Sequence, residues 1–351
     1  MITVIFMNQE RQGQEMIIEA TKKVVENMDL TADEAAQVMD EMMSGEAEQI
    51  NMASFLTALR MKGETVEEIT AFAKGMRKHG TKVPVSGDVL EIVGTGGDEA
   101  NSINISTAAS IVAAAAGYKV AKHGNRSVSS RSGAADCLEA LGVRLDLEPE
   151  QNARVLEEGN ICFMFAQKYH AAMRFVGPVR KGIGLRTVFN ILGPLSNPAQ
   201  ANAELMGVYS EDLVEPLAHV LSNLGVKRAL VVYGQDRLDE ISMSAPTTCV
   251  EVRNGTFERY VITPEQFGFK RCQKKDLTGG DGIENARITE RIFRGECTDA
   301  KADAVILNAG AGIYLMGGAS DIAQGAEIAR ETIRSGKAYE TLQNFIRLTN
   351  A

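Results

Sequence analysis

Apolar positions between about residue 14 and residue 80 recur at helical spacing rather than in alternation. Thr31-Ala32-Asp33-Glu34 and Thr65-Val66-Glu67-Glu68 each set a hydroxyl three residues before a carboxylate. That pairing satisfies free N–H groups reciprocally at a helix start. Between them, Ile50, Phe55, Leu56 and Leu59 mark a helix that Gly63 ends. The Met and Leu stripes read as core packing, and the segment predicts a small all-helical domain of about four helices.

The texture changes after "KVPVSGD". "VLEIV" (Val89 to Val93) is a short β-rich run, followed by glycines and a helix starting near Ser106. "YKVA" (Tyr118 to Ala121) predicts the next strand and "GAADCLEALG" the next helix. Strand and helix in alternation argue for parallel βαβ units with chemistry in the loops at the strand C-termini. Further strands are predicted at Ala229 to Gly234 and at "DAVILNAG", Asp303 to Gly310. "TCVEVRNGTFERYVIT" predicts a hairpin turning at Asn254-Gly255. From Asp321 the tail alternates alanine and charge as a terminal helix does, and Ile111 to Ala116 reads as core helix. The fold class is therefore α/β: a helical N-terminal domain plus a large domain with a mainly parallel sheet flanked by helices. The expected boundaries are 1–85 for the helical part, joined by a returning segment near 170–200, with 86–169 and 201–351 forming the α/β part.

Composition narrows the function classes. A net charge of −9 does not favour wrapping nucleic acid with a basic face. No apolar run approaches the ~20 residues that span a bilayer. The N-terminus lacks the marks of a secretory signal, and its first seven residues read as a short strand, a frayed tail or a cloning remnant. Five cysteines, more than twenty residues apart, offer neither a zinc pattern nor a disulfide framework, which points to the cytoplasm.

Two loops carry the candidate chemistry. "VGTGGDEANSINIST" (Val93 to Thr107) joins a strand to a helix, where glycines and a helix N-terminus suit an anion. It is not a dinucleotide fingerprint, because Glu99 stands where the third glycine belongs, and no GKS or GKT follows for a P-loop. A tight turn explains the glycines about as well. Asp98 would repel a diphosphate, unless it braces the loop on backbone N–H groups or faces a cation. Ser106 and Thr107 serve equally as helix N-caps. The second loop, "AKHGNRSVSSRSGAAD", brings Lys122 as a mobile point charge, Asn125 and Arg126 as directional donors, and Ser127, Ser129 and Ser130 as hydroxyls. Two such loops without Walker or Rossmann patterns suit a sugar-phosphate diphosphate better than a nucleotide.

With "GTGGD", "NIST", "KHGNRSVSS", "VRKGIGLRTVFNILGPLSNPA" and "LDE" in this order and spacing, the chain resembles the anthranilate phosphoribosyltransferases of the tryptophan pathway. The likeness runs from about residue 14 to the end. It implies transfer of phosphoribose from 5-phosphoribosyl 1-diphosphate to the amino group of anthranilate, with release of pyrophosphate. Diphosphate positions then fall on Gly94, Gly97, Asp98, Ser102, Asn104, Ile105, Ser106 and Thr107. They continue through Lys122, His123, Gly124, Asn125, Arg126, Ser127, Val128, Ser129 and Ser130. Anthranilate positions match Gly94, Asn125 and Arg180, with His123, His170 and Pro194 lining the channel. Magnesium, two ions per subunit, is implied at Ser106, Asp239 and Glu240. A homodimer through the helical domain is implied as well. Ala134 stands where many members bind phosphate with a serine, and Arg237 precedes "LDE" where glycine is common.

The chemistry asks for charge on the leaving group to be stabilised, which Lys122, magnesium and N–H donors supply. Adjacent acids such as Asp239-Glu240 are more often solvated surface, and without the family register that alternative weighs more. Anthranilate's amine has a free lone pair, so His123 and His170 read as shape and hydrogen-bond residues rather than a general base. His79 and His219 read as structural. Arg180 suits the anthranilate carboxylate, against the alternative of an ordinary surface-helix arginine. Closure of a crevice between the domains would exclude water, with Gly177, Gly182 and Gly184 as hinge candidates. Two rivals remain. A pyrimidine nucleoside phosphorylase lacks its lysine-serine signature here. A catalytically silent nucleic-acid-binding relative predicts a basic surface and loss of the acid pair.

Overall fold

Thr31 and Thr65 each start a helix with a complete capping box. The computed structural model describes residues 15–127 and 131–351; Val128, Ser129, Ser130 and the first fourteen residues lie outside the described range. Helices α1 (Glu15–Val25), α2 (Ala32–Ser44), α3 (Gln49–Lys62) and α4 (Val66–His79) follow one another. Together with Tyr169–Ser196, which carries the helix Met173–Ile183, they make one of two compact units. Its core sets Phe55 edge-on to Phe72, centroids 6.2 Å apart, among Val38, Met39, Met42, Met52, Leu56 and Leu59. Glu68 is fully buried yet satisfied. It accepts from the N–H groups of Thr65 and Leu30 and pairs with Lys62 at 3.0 Å, tying three segments together.

Ile50 departs from expectation, being 70% exposed. At about 100° per residue it lies roughly opposite the face of Met52, Phe55, Leu56 and Leu59. His79 pairs with Asp40 at 2.8 Å, and His219 of the other unit stacks on Phe257, so both have structural partners.

The second unit, Lys82–Lys168 with Asn197–Ala351, is built on a seven-stranded sheet of order β3-β2-β1-β4-β5-β6-β7. Its strands are β1 (Leu90–Gly94), β2 (Val120–Gly124), β3 (Ile161–Phe165), β4 (Ala203–Gly207), β5 (Arg228–Gly234), β6 (Thr247–Arg253) and β7 (Thr256–Ile262). The first five are parallel; β6 and β7 run antiparallel at the edge. The hairpin turns at Asn254-Gly255, with φ of 47° and 83°, the left-handed pair that a type I′ turn requires. Helices α5 (Ile105–Ala115), α6 (Ala134–Ala140) and α7 (Pro149–Gly159) connect the first strands. The helix Met173–Ile183 becomes α8 in chain order and Val214–Asn223 α9, the latter resting on β5 and β6. The C-terminal helices are α10 (Gly282–Phe293), α11 (Ala300–Leu315), α12 (Ile322–Arg334) and α13 (Lys337–Thr349).

Two expectations give way here. "DAVILNAG" is not a strand but lies within α11, which is buried over nearly its whole circumference against α5, α12 and strands β1, β4 and β5. A fully buried helix shows no polar stripe, so a short apolar run in it imitates a buried strand. The tail is two helices, broken at Gly336 with φ 82°. Strands β3 and β4 were not anticipated: "ICFMF" and "AELMG" contain only one β-branched residue between them, and Glu204 interrupts the second. Among the described residues, no helix is long and apolar enough to cross a membrane.

Candidate active site

The chain lays down β1, β2 and β3 in one direction across the sheet and then β4 and β5 in the other. The reversal falls between β1 and β4, and a crevice outside the C-terminal ends of such a pair is where open α/β sheets bind ligands. Both strands end in glycine there, Gly94 opposite Gly207. Neither position has room for a Cβ: one on Gly94 would strike the Asp239 carboxylate, and one on Gly207 the Asp239 main chain. The loop after β5 therefore folds back over two strand ends and delivers Asp239 and Glu240 to the switch point. The Asp239 Oδ2 atom accepts the Gly96 N–H at 2.7 Å.

Glu240 does what the local sequence does not. Helix α5 has Asn104 at its N-cap with no side-chain cap, so neither Ser106 nor Thr107 is the cap residue. Instead Glu240 Oε1 accepts the Ser106 N–H at 3.1 Å, a carboxylate set on the positive end of a helix. Lys122 lies beneath the same helix start. It is not a mobile charge but is only 2% exposed, its Nζ donating to the Ile92 carbonyl at 2.8 Å and to Ser106 Oγ at 3.3 Å. Burial pushes its ammonium below the usual lysine range, while Glu91, Glu240 and Asp239 pull it back up. Burial raises the Asp239 carboxyl well above the ordinary range, and the charge of Asp98 adds to it. Glu240 is raised to about 7, again by burial first, with Lys122 opposing.

Asp98 braces its own loop, Oδ1 accepting the Ala100 N–H at 3.1 Å, while Oδ2 is buried with no hydrogen-bond partner among the described residues. Thr107 Oγ1 is buried and unpartnered in the same sense. Gly97 turns with φ 77°, Ile105 is buried at the first turn of α5, and Ser102 forms an isolated bridge with Thr278. No sequence pattern marks the segment that holds this loop. The Ile103 N–H donates to the Leu277 carbonyl and the Gly279 N–H to the Asn101 carbonyl. Asn285, fully buried on α10, donates to Asn104 Oδ1 at 2.9 Å, which Ser132 also reaches at 3.0 Å. "TGGDGIEN" shows locally only a helix start capped by Asp281, and the bonds that hold the loop are with residues far away in the chain.

In the second loop, the His123 N–H donates to buried Glu91 at 3.0 Å, and Gly124 packs against Phe163 and Ala134. Asn125 Oδ1 accepts from the Arg126 N–H at 2.8 Å. The Arg126 guanidinium is turned onto Glu139 and Asp136 and lies 5.6 Å over Phe165. Asp136 also takes the Ser127 and Gly133 N–H groups, fixing both ends of the loop to the start of α6. Ala134 is the first residue of that helix. Val128, Ser129 and Ser130 lie outside the described residues.

Arg180, His170 and Pro194 belong to the first unit. Arg180 is in the last turn of α8, its guanidinium 5.7 Å from the Phe189 ring centre and without an acidic partner among the described residues. Burial lowers its pKa from the ordinary arginine value. His170 is buried, and desolvation takes its imidazole down to about 4. Pro194 opens a buried 3₁₀ turn, Pro194–Ser196, whose Leu195 carbonyl accepts from Arg77 at 2.7 Å.

Hard oxygen donors thus converge: Asp98, Asp239, Glu240 and the Ser106 hydroxyl. Without a cation, burial and crowding raise the Asp239 and Glu240 carboxyls, a cost that a bound cation would relieve, and the buried Asp98 Oδ2 has no hydrogen-bond partner among the described residues. Magnesium suits such a set. Among the described residues, no three His, Cys, Asp or Glu side chains are preassembled as a metal cage. That also fits an ion taking one or two carboxylates and completing its shell with substrate phosphates and water.

Comparison with known proteins agrees with this architecture. Residues 86–339 match the glycosyl transferase family a/b domain, and residues 18–80 the helical bundle domain of the same family. An anthranilate phosphoribosyltransferase of Lachnoclostridium phytofermentans is 57% identical, covering 95% of this chain and 99% of the relative. The crystal structure of the anthranilate phosphoribosyltransferase from Thermus thermophilus superimposes with a TM-score of 0.90 at 44% identity, over 95% of this chain and 99% of that one. The Saccharomyces cerevisiae protein, solved in complex with PRPP and Mg, gives 0.88 at 28% identity over 95% and 98%. At this identity, over nearly its full length, the chain belongs to the anthranilate phosphoribosyltransferase family.

Proposed function

We propose that this chain transfers the phosphoribosyl group of 5-phosphoribosyl 1-diphosphate to the amino group of anthranilate, releasing pyrophosphate. One observation carries the assignment: buried Lys122, the N-terminus of α5 and the Asp98-Asp239-Glu240 acids meet at the switch point of the sheet. Relatives bearing this name, and a yeast relative solved with PRPP and Mg, support it.

In the reaction, the bond from C1 of ribose to the diphosphate oxygen breaks, and its electron pair leaves with pyrophosphate. The amine lone pair forms the new C1–N bond, and the surplus proton passes to solvent. The chain's part is to receive negative charge as it develops. Lys122 lies fixed under α5 and needs no reorganisation to do so, and the α5 N-terminus adds its partial charge. Magnesium, held by Asp239, Glu240 and the Ser106 hydroxyl, would neutralise diphosphate oxygens when bound. Two ions per subunit are part of the proposal. The diphosphate competes with Glu139 for Arg126.

Arg180, a half-buried cation with no acid beside it, takes the anthranilate carboxylate. His170 at about 4 is neutral at neutral pH and acts by shape and hydrogen bonding, not as an acid. We also place the chain in the cytoplasm, as a homodimer through its helical unit. Exposed Ile50 and Met61 support that surface, at 70% and 84%.

The test is loss of anthranilate fluorescence on adding 5-phosphoribosyl 1-diphosphate and Mg2+ to the purified chain. Turnover that requires both is expected. No loss, with or without the metal, refutes the assignment.

A further inference from the structure

Helix α11 presents one polar side chain to the acid-bearing loop. Asn308 is 0% exposed, its Oδ1 accepting the Ile241 N–H at 3.0 Å and its Nδ2 donating to the Ile241 carbonyl at 3.1 Å. The same Nδ2 donates to the Ala304 carbonyl, one turn back in its own helix, at 2.9 Å, which holds the amide in a single orientation. A side chain that takes both main-chain groups of one residue does the work of a neighbouring strand. It does so where no strand is available, because Ile241 lies in the irregular segment between β5 and β6.

Ile241 directly follows Asp239 and Glu240. On the other side, Asp239 rests against Gly94 and Gly207, which leave no space for it to move inward. The acid pair is therefore held between two strand ends and a buried helix. Asn308 is the only polar side chain of α11 whose hydrogen bonds to this segment are seen among the described residues. A buried amide needs partners for its oxygen as well as its N–H groups. The Ala304 carbonyl takes only one N–H, and Oδ1 finds its donor on Ile241, so the amide and the loop satisfy each other. What the pair of bonds to Ile241 does is fix the main chain one residue beyond the two carboxylates.

We propose that Asn308 is a positioning residue for the metal-binding acids, setting the main chain from which Asp239 and Glu240 project. This rests on the metal role given above to those two residues. Groups that orient metal ligands from behind typically change metal affinity by roughly tenfold to a hundredfold when removed.

The experiment follows Mn2+ binding to the full-length chain by the loss of free-ion EPR signal, at a fixed concentration of 5-phosphoribosyl 1-diphosphate and beyond the loss that the diphosphate causes without protein. Wild-type chain binds Mn2+; if it does not, the metal assignment itself fails, independently of Asn308. Asn308→Leu keeps the branched outline with bulkier methyl groups and removes every side-chain hydrogen bond. It should weaken Mn2+ binding roughly tenfold or more. The Mg2+ concentration for half-maximal rate should rise in parallel, while the KM for anthranilate stays within about twofold. Asn308→Ser, which removes the amide with less bulk, should do the same and serves if the leucine variant does not fold. Asn152→Leu is the control, since it removes another fully buried amide, bonded to the Phe163 carbonyl at 3.1 Å. It should lower the melting temperature and leave Mn2+ affinity unchanged. Folded Asn308 variants that bind Mn2+ like wild type overturn the proposal. So does an Asn152→Leu variant that loses Mn2+ affinity equally, because the effect then reports general loosening.

Discussion

Replacing Arg180 with alanine separates the two substrates most sharply. In the free protein the guanidinium is half-buried on α8, lies 5.7 Å over Phe189 and has no carboxylate beside it among the described residues. Its removal forfeits a cation–π contact of about 0.5–1 kcal/mol, offset by relief of a desolvated, unpaired charge, so stability should move by less than about 1 kcal/mol. Binding behaves differently. A hydrogen bond to a charged group contributes about 1.5–3 kcal/mol, and a guanidinium can make two to one carboxylate. Allowing for partial exposure, truncation should cost about 3–4 kcal/mol of anthranilate binding, a rise in KM of roughly 150- to 700-fold. The carboxylate lies ortho to the reacting amine but forms and breaks no bond itself, so its contact with Arg180 is largely shared by ground and transition states, and KM should change far more than kcat. Arg180→Lys keeps the charge but loses the planar fork and should recover only part of the affinity. Initial rates from anthranilate fluorescence, varied against each substrate in turn, measure all of this. Equal increases in KM for anthranilate and for the diphosphate, or no increase in either, would refute the reasoning.

Two further outcomes follow from particular residues. His170 has its pKa lowered to about 4, so as pH falls from 6.5 the unfolded chain takes up a proton before the folded one. Its contribution is fully present above about pH 6.5 and is lost as pH falls towards 4, amounting to about 3 kcal/mol. Urea unfolding at pH 7 and pH 4.5 should show that loss, and His170→Gln should remove that part of it; identical pH dependence in both proteins sinks the assignment. Ala134→Ser should supply a hydroxyl at the start of α6, lowering the KM for the diphosphate by about two- to tenfold for one hydrogen bond. An unchanged KM would mean that backbone or solvent already makes that contact.

What could be foreseen depended on how local its cause was. The Thr31 and Thr65 boxes, the turn at Asn254-Gly255 and the strand–glycine–helix passage after Val89 are set by neighbours in sequence, and each formed where expected. Ile50 misled because spacing alone does not say which face is buried. The run at Asp303–Gly310 misled because complete burial erases periodicity, and the same error hid Asn308 on a supposed strand. Asp239 and Glu240 were identified by resemblance, since two adjacent acids carry no signal by themselves. Their setting depends on Gly94, Gly207 and Ser106, far away in the chain, and no local pattern encodes such a meeting. Lys122 shows the limit most plainly: its type suggested a flexible cation, and its position on β2 makes it a fixed one.

The return of the β5–β6 loop over Gly94 and Gly207 bears on when the site comes into being. The glycine turn after β1 is laid down early in the chain, but the acids that face it arrive about 140 residues later, and the amide bracing them later still. Each of these contacts closes a long loop, so none is worth its entropy until the sheet between them has paired. A nascent chain ending before α11 would own every residue of the acid cluster and lack the element that steadies it. On the proposed reading, metal affinity is a late property of this fold, reached only when α11 has joined the sheet and not encoded by any one motif.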